Sequence, residues 1–236
     1  PALMRIVGFS KTSLLDWDGR VAATVYLPGC NFRCPFCHNS DLVLAPESLS
    51  ELPFSDVLEY VETNREFIDG VVITGGEPTL HMELPDLVRK MKSTGVMVKL
   101  DTNGSRPAMI ARLLNDGLLD YVAMDLKGPL NPKYSDIVGT EAPLDDVKRS
   151  VSIIMDSGVE YEFRTTVVPL LLNLRDIESM AAYIGGARKY ALQQFRPRNT
   201  IDKNYMVLDA CTMETLKNMA EVARQYVRKV VIRGGL

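Results

Sequence analysis

The chain has 236 residues, 46% hydrophobic and 24% charged, which is enough for one large globular domain and at most two. Its 27 Lys and Arg against 30 Asp and Glu leave a net charge of −3 with no basic stripe, so nucleic acid is not the expected partner. No apolar run reaches membrane-span length and no signal peptide is visible, so a membrane is not expected either.

Pro1 to Leu3 precede Met4, which reads as the natural start. They are set aside as a cloning remnant, leaving 4–236 as a single domain. Arg5 to Leu15 is an apolar–polar lead-in, and Asp16-Trp17-Asp18-Gly19 is a turn signal. Val21 to Leu27, β-branched and aromatic, is a predicted strand that delivers the chain to a loop holding Cys30, Cys34 and Cys37.

A repeating pattern follows. Helices are predicted over Pro53–Phe67, Leu84–Ser93, Pro107–Asn115, Leu144–Asp156, Leu174–Ile184 and Thr212–Tyr226. Strands are predicted over Gly70–Thr74, Val96–Leu100, Tyr121–Met124, Tyr161–Val168 and Ala191–Phe195, with Lys229–Ile232 as a last short one. Near-continuous apolar strands alternating with helices predict an α/β fold with a parallel sheet. About six βα units are countable, fewer than the eight of a closed barrel, so the expectation is a partial, open (β/α)6 TIM-like barrel. Pro129 to Pro143 is the longest irregular stretch and a candidate mobile loop. Gly234-Gly235 reads as a frayed tail.

Polar residues fall just after strands, where parallel sheets bind ligands: Gly75-Gly76-Glu77-Pro78, Asp101-Thr102-Asn103-Gly104 and Asp125-Leu126-Lys127. Gly75 and Gly76 let backbone approach a ligand, and carbonyls there with Glu77 suit a cationic amino group; a tight turn explains the glycines equally well. Asp101 and Asp125 suit a hydroxyl, an ammonium or a cation, and each alone also serves as a cap or turn residue. Lys127 can pair with a carboxylate or stay solvated. Arg164, among β-branched residues on a strand, needs an anion. Gln193, Gln194, Arg196 and Arg198 cluster at the sixth strand.

The cysteine loop, Gly-Cys-Asn-Phe-Arg-Cys-Pro-Phe-Cys-His, allows three readings. One is zinc, with His38 as fourth ligand. Another is a disulfide plus a spare thiol, although three clustered cysteines of four suit a reducing cytoplasm better. The third is an iron–sulfur cluster with three thiolate ligands and one iron left open for a substrate or cofactor.

The C-x₃-C-x₂-C spacing with Phe36 before the last cysteine resembles the cluster loop of the radical S-adenosylmethionine (SAM) enzymes. Thr-Gly-Gly-Glu-Pro-Thr-Leu resembles their SAM-amino motif, and Asp-Thr-Asn-Gly with Asp-Leu-Lys resembles the activating enzymes of glycyl-radical enzymes. The segment Asp18 to Asn39, Phe-Arg-Thr-Thr-Val-Val and Gln-Gln-Phe-Arg are similar to activases of the anaerobic ribonucleotide reductase. The likeness spans roughly Arg5 to Arg198.

This resemblance implies a [4Fe–4S] cluster on Cys30, Cys34 and Cys37, with SAM chelating the open iron. Gly75, Gly76 and Glu77 would hold the SAM amino group, Asp101 that group or a nearby monovalent cation, Asp125 the ribose and cation, and Lys127 the carboxylate. Phe36 would flank the adenine, and His38, Asn39, Asn103 and Arg164 would complete the pocket. A ferredoxin or flavodoxin would supply the electron. The resulting 5′-deoxyadenosyl radical would take hydrogen from a glycine of a partner enzyme, whose loop enters the open barrel side. Other short radical SAM proteins act on small molecules or RNA, and a Cys₃His zinc-binding interaction protein is the non-enzyme alternative.

Two departures stand out. Asp18 occupies the place of a usual proline in a loop that lies near the incoming glycyl peptide in the family. No late histidine is available for the ribose, so Gln194 or Arg196 is expected there instead. No cysteine set exists for a second cluster, and Cys211 reads as a lone core thiol.

Overall fold

A computed structural model of the chain describes residues 4–234. Pro1–Leu3, Gly235 and Leu236 lie outside the described residues, and with them the remnant and Gly235 of the tail discussed above.

Eight strands form one sheet in chain order: β1 (Gly8–Ser13), β2 (Ala22–Leu27), β3 (Gly70–Gly75), β4 (Met97–Thr102), β5 (Tyr121–Asp125), β6 (Glu160–Val167), β7 (Tyr190–Gln194) and β8 (Val230–Arg233). β1 is antiparallel to β2, and β2 through β8 are parallel. The sheet ends at β1 and β8 without closing, so the expected open half-barrel is present. β8 is the last short strand expected at Lys229–Ile232, and it follows the six βα units counted in the sequence.

The main helices are α1 (Ser40–Leu44), α2 (Phe54–Thr63), α3 (Leu84–Ser93), α4 (Pro107–Asn115), α5 (Lys133–Val138), α6 (Leu144–Asp156), α7 (Leu174–Tyr183) and α8 (Met213–Ala223). Their apolar stripes cover one face of the sheet. In α3, Leu84, Leu87, Val88 and Met91 recur at helical spacing and are all buried. Burying each is worth roughly 1.5–3 kcal/mol before conformational entropy is counted. An Asn173–Asp176 capping box starts α7, and Asp176 also pairs with Lys133 of α5 at 2.6 Å.

β1 and α5 differ from the sequence reading. β1 lies inside the lead-in; it is an edge strand, and only its pairing with β2 makes it one. The Pro129–Pro143 stretch is not a loose loop. It contains α5, with Tyr134, Ile137 and Val138 buried. Phe32 meets the Tyr134 ring edge-on at 6.4 Å, and the backbone N–H of Arg33 donates to the Val138 carbonyl at 2.8 Å. Prolines and short polar residues mark this segment as irregular locally; its order comes from docking under the cysteine loop.

Strand alternation gives the sheet two unlike faces. Val25, Ile73, Leu100, Val122 and Phe163 join the core beneath the helices. The other face lines the half-barrel. Its floor is a small second core in which Trp17 packs on Ala22 and Val72, flanked by Met97 and Tyr121. Gly70 makes room for the indole, since a Cβ there would lie 2.6 Å from Trp17 Cζ3. The predicted Asp16–Gly19 turn is therefore also the plug of the barrel.

Asp18, at the tip of that plug, precedes β2, whereas the cysteines follow it. Its carboxylate accepts from Lys189 at 2.7 Å and from Arg233 of β8 at 2.6 Å, and both cations also hold Glu162. The loop is thus tied across to the far edge of the open sheet. Burial pushes the Asp18 carboxyl up, but Lys189 and Arg233 outweigh it and bring it down to about 2. A depressed pKa means the contact stabilises above the ordinary value of 3.8 and is lost as pH falls through about 2. Asp18→Asn is expected to cost about 0.2–1 kcal/mol near neutral pH, as half-exposed pairs do. Urea melts across pH should show the gap to wild type closing between 3.8 and 2.

Candidate active site

The cysteine loop leaves β2 and is pinned on several sides. Beyond the last strand pair, the Gly76 N–H donates to Leu27 O and the Glu77 N–H to Gly29 O, both at 2.8 Å, so the β2–β3 pairing continues into the two loops. Gly29 N–H returns to Leu42 O at 2.7 Å, the His81 ring donates to Pro28 O at 2.9 Å, and Asp202 N–H donates to Pro35 O at 2.9 Å. Asn39 Nδ2 donates to Gly75 O at 2.8 Å.

Gly75 sits at φ +119°, and a Cβ on Gly76 would fall 1.9 Å from Gly29 O. These glycines are required by the close passage of the cysteine loop.

Cys30, Cys34 and Cys37 line a cavity of about 430 Å³ at the C-terminal ends of the strands. Phe36, His38, Asn39, Gly75, Gly76, Glu77, Asp101, Asn103, Asp125, Lys127 and Arg164 line it too. Two residues named from the sequence do not. Gln194 turns to the other face of β7 and donates to Cys211 O at 2.8 Å, and Arg196 contributes only its carbonyl, which accepts from His38 Nε2 at 2.7 Å. Gln193 takes the inward place. The reason is period two: Arg164 pairs in register with Ala191 and Thr166 with Gln193, so odd β7 positions share the inward face.

The same parity would have found residues the sequence reading missed. Tyr26, Thr74 and Thr166 line the cavity, each a polar side chain at an inward strand position, and Asp16 reaches up from the plug.

Glu77 is fully buried. One oxygen accepts from Thr79 N–H, the Thr79 hydroxyl and Thr102 Oγ1; the other accepts from Asn103 N–H at 2.6 Å. Burial pushes its carboxyl up, and those donors oppose the rise. Its hydrogen bonds brace the Gly75–Pro78 loop against the Asp101–Gly104 loop. Asn103 Nδ2 in turn donates to Asn31 Oδ1 at 3.0 Å, beside Cys30.

Asp101, Asp125 and Arg164 form one buried set. Arg164 donates from Nη1 to Asp101 Oδ2 at 2.9 Å and from Nε to Asp125 Oδ1 at 2.8 Å. Lys127 Nζ donates to Asp125 Oδ2 at 2.9 Å. Burial raises the Asp125 carboxyl, but Arg164 and Lys127 outweigh it and hold it below the carboxylate range. Burial lowers the Lys127 ammonium, but Asp125 outweighs it and keeps the charge on.

The thiols are in the reverse position. Burial pushes Cys34 up to about 12 and raises Cys30 as well, with Lys127 only partly opposing. Thiolates here need a metal centre to form, which is how a cysteine-bound cluster acts on its ligands. Among the described residues no three His, Cys, Asp or Glu side chains are arranged to hold a single metal ion. The His38 ring donates from Nε2 to Arg196 O and stacks on Phe195. A lone zinc with His38 as fourth ligand does not fit this geometry, whereas a multi-iron cluster spreads its thiolates over separate iron atoms.

A half-barrel with a cysteine-lined mouth and a buried ion set beside it defines the class. The chain belongs to the radical SAM superfamily, whose family model matches residues 24–184. It is 33% identical over 233 residues to a Methanocaldococcus jannaschii protein named as a glycyl-radical enzyme activating enzyme, covering 97% of this chain and 95% of that one. It is 28% identical to the pyruvate formate-lyase-activating enzyme of Clostridium pasteurianum, covering 85% of this chain and 84% of that one. The fold is also that of Streptococcus suis SuiB bound to its precursor peptide SuiA, with TM-score 0.71, 13% identity, 89% of this chain and 48% of SuiB covered. The chain is therefore a radical SAM enzyme, and family membership implies SAM and a [4Fe–4S] cluster as cofactors. No helix among the described residues is long and apolar enough to cross a membrane.

Proposed function

We propose that this chain is a single radical SAM domain that activates a glycyl-radical enzyme, with the anaerobic ribonucleotide reductase as partner. The observation that carries the reading is the meeting of Cys30, Cys34 and Cys37 with Asp101, Asp125 and Lys127 around one cavity. The two activating-enzyme relatives support the class of partner. The Asp18–Asn39, Phe163–Val168 and Gln193–Arg196 segments support the reductase. The cytoplasm as compartment accords with four free cysteines, and a ferredoxin or flavodoxin is the electron donor that the family resemblance implies.

The three cysteines would hold the cluster, and Gly75, Gly76, Asp101, Asp125 and Lys127 would hold SAM. When bound, the pair supplies one-electron chemistry that ends in hydrogen abstraction from carbon. The chain's own contribution is placement. Lys127 presents an ammonium to a carboxylate. Glu77 fixes the loop carrying Gly75 and Gly76 against the loop carrying Asn103. Tyr26, Thr74, Thr166 and Gln193 face the same space and would orient the incoming glycine loop. The Trp17 floor excludes water from below.

Lys127→Ala is expected to weaken SAM binding roughly 10–100-fold, the worth of a charge-assisted contact of about 1.5–3 kcal/mol, with the cluster absorbance unchanged. Equilibrium dialysis of the reconstituted protein checks this; unaltered affinity removes the assigned role.

The whole reading is tested anaerobically. Protein reconstituted with iron and sulfide, given dithionite, SAM and an anaerobic ribonucleotide reductase, should release 5′-deoxyadenosine and produce a glycine-radical doublet in electron paramagnetic resonance. Deoxyadenosine without a doublet, for this and other glycyl-radical enzymes, would redirect the substrate to a small molecule or a nucleoside. No deoxyadenosine at all would overturn the reading.

A further inference from the structure

The resemblance of this chain to glycyl-radical activases implies a monovalent cation near Asp101 and Asp125. The structure puts side chains there. Arg164 spans the two aspartates, at 2.9 Å from Asp101 Oδ2 and 2.8 Å from Asp125 Oδ1. The outer oxygens are taken as well: Lys127 Nζ is 2.9 Å from Asp125 Oδ2, and Lys99 Nζ is 3.2 Å from Asp101 Oδ1. Every carboxylate oxygen of the pair thus has a cationic nitrogen within 3.2 Å.

Lys99 is not a passing surface residue. It is 2% exposed, donates to the Asp16 carbonyl from the plug, and lies over the Tyr121 ring at 5.7 Å. Asp101 Oδ1 is a buried oxygen without an aligned hydrogen bond, and Lys99 Nζ lies 3.2 Å from it. Glu162, the other acid near Arg164, is engaged by Lys189 and Arg233. Three fixed cations therefore face two carboxylates before anything binds. An alkali ion needs a shell of oxygens, and it would enter a site already in positive excess. The expected cation does not fit.

We propose that Arg164, flanked by Lys99 and Lys127, is a built-in counter-cation that holds Asp101 and Asp125 in place for SAM, so that this enzyme binds SAM without K⁺ or Na⁺. The proposal deepens the SAM-binding reading above and rests on it. Arg164 acts here as a positioning residue, setting the carboxylates that face the cofactor.

The experiment has two arms on the reconstituted holoprotein. In the first, Tl⁺, a K⁺ surrogate, is titrated and bound ion read by ²⁰⁵Tl nuclear magnetic resonance, with and without SAM. No saturable site is expected; a stoichiometric site lost in Asp125→Asn would overturn the proposal whether or not SAM binds. In the second, SAM affinity is measured in tetramethylammonium chloride and in KCl at equal ionic strength. Wild type should agree within about twofold, and a loss of about tenfold or more without K⁺ would overturn the proposal. Arg164→Gln should bind SAM at least about tenfold more weakly in tetramethylammonium and regain affinity in KCl, which a merely structural role would not produce. Failure of wild type to bind SAM in either salt sinks the cofactor reading, and the Tl⁺ arm still judges the site itself.

Discussion

Cys34→Ala, reconstituted anaerobically with iron and sulfide, is expected to hold no intact four-iron cluster and to form no 5′-deoxyadenosine. Cys34 is the most enclosed of the three loop cysteines, at 6% exposure, between Pro35 and a loop pinned to α5. No other thiol can replace it, because Cys211 sits on the far side of β7, near Val167 O. The loss should be complete at the level of chemistry and small at the level of folding. Removing one buried sulfur costs about 1 kcal/mol, so thermal melting of the iron-free protein should barely move. Iron and sulfide counts, visible absorbance and product assay check the first part, and circular dichroism checks the second. Wild-type turnover in the variant would mean that the three-cysteine loop is not the reactive centre.

Gly76→Ala should be nearly as damaging without touching a ligand. The added methyl would lie 1.9 Å from Gly29 O, a backbone atom that no rotamer change can move aside. Relief requires breaking the Gly76 N–H to Leu27 O and Glu77 N–H to Gly29 O bonds, and so shifting the residue that precedes Cys30. Overpacking of this kind costs about 1–3 kcal/mol, or a melting point lower by roughly 2–12 °C for a chain of this size. The functional loss should exceed the stability loss, since the shift separates the cysteine loop from Gly75 and Asn39. Cluster content should fall, and SAM affinity should fall further in whatever fraction keeps a cluster. Normal affinity with a normal melting point would mean the two loops are not coupled.

Most of the fold was legible because it is periodic. α3, α4 and α6 stand at the predicted residues, since apolar stripes at helical spacing and their glycine or proline boundaries are local features. The α/β alternation and the open half-barrel follow from strand count and short connections. Three elements were not legible for a common reason. β1 depends on an edge to pair with, α5 depends on the underside of the cysteine loop, and the burial of Trp17 depends on a cavity floor with room at Gly70. None of these partners is nearby in sequence.

The site divides in the same way. The cysteines and the polar residues after strands were readable, because spacing on one loop and position after a strand are set within a few residues. Gln194 and Gln193 were not separable without register, since a one-residue difference exchanges the faces of a strand. Arg164 was read as needing an anion, and only the structure shows that it takes two, both already in the wall.

By itself, then, the amino-acid order determines that three thiols share a loop after the first parallel strand, and that glycines, acids and a lysine follow the next strands in turn. Covalent spacing and side-chain periodicity act over a few residues and need no fold to be read. The tertiary structure alone decides which of those groups remain available to a ligand. It commits Glu77 to Thr79, Thr102 and Asn103, and Asp18 to the far edge of the sheet. It also fills the space between Asp101 and Asp125 with Arg164. Those pairings depend on which distant segments the curvature of the open sheet brings within hydrogen-bonding distance, and no local pattern carries that information.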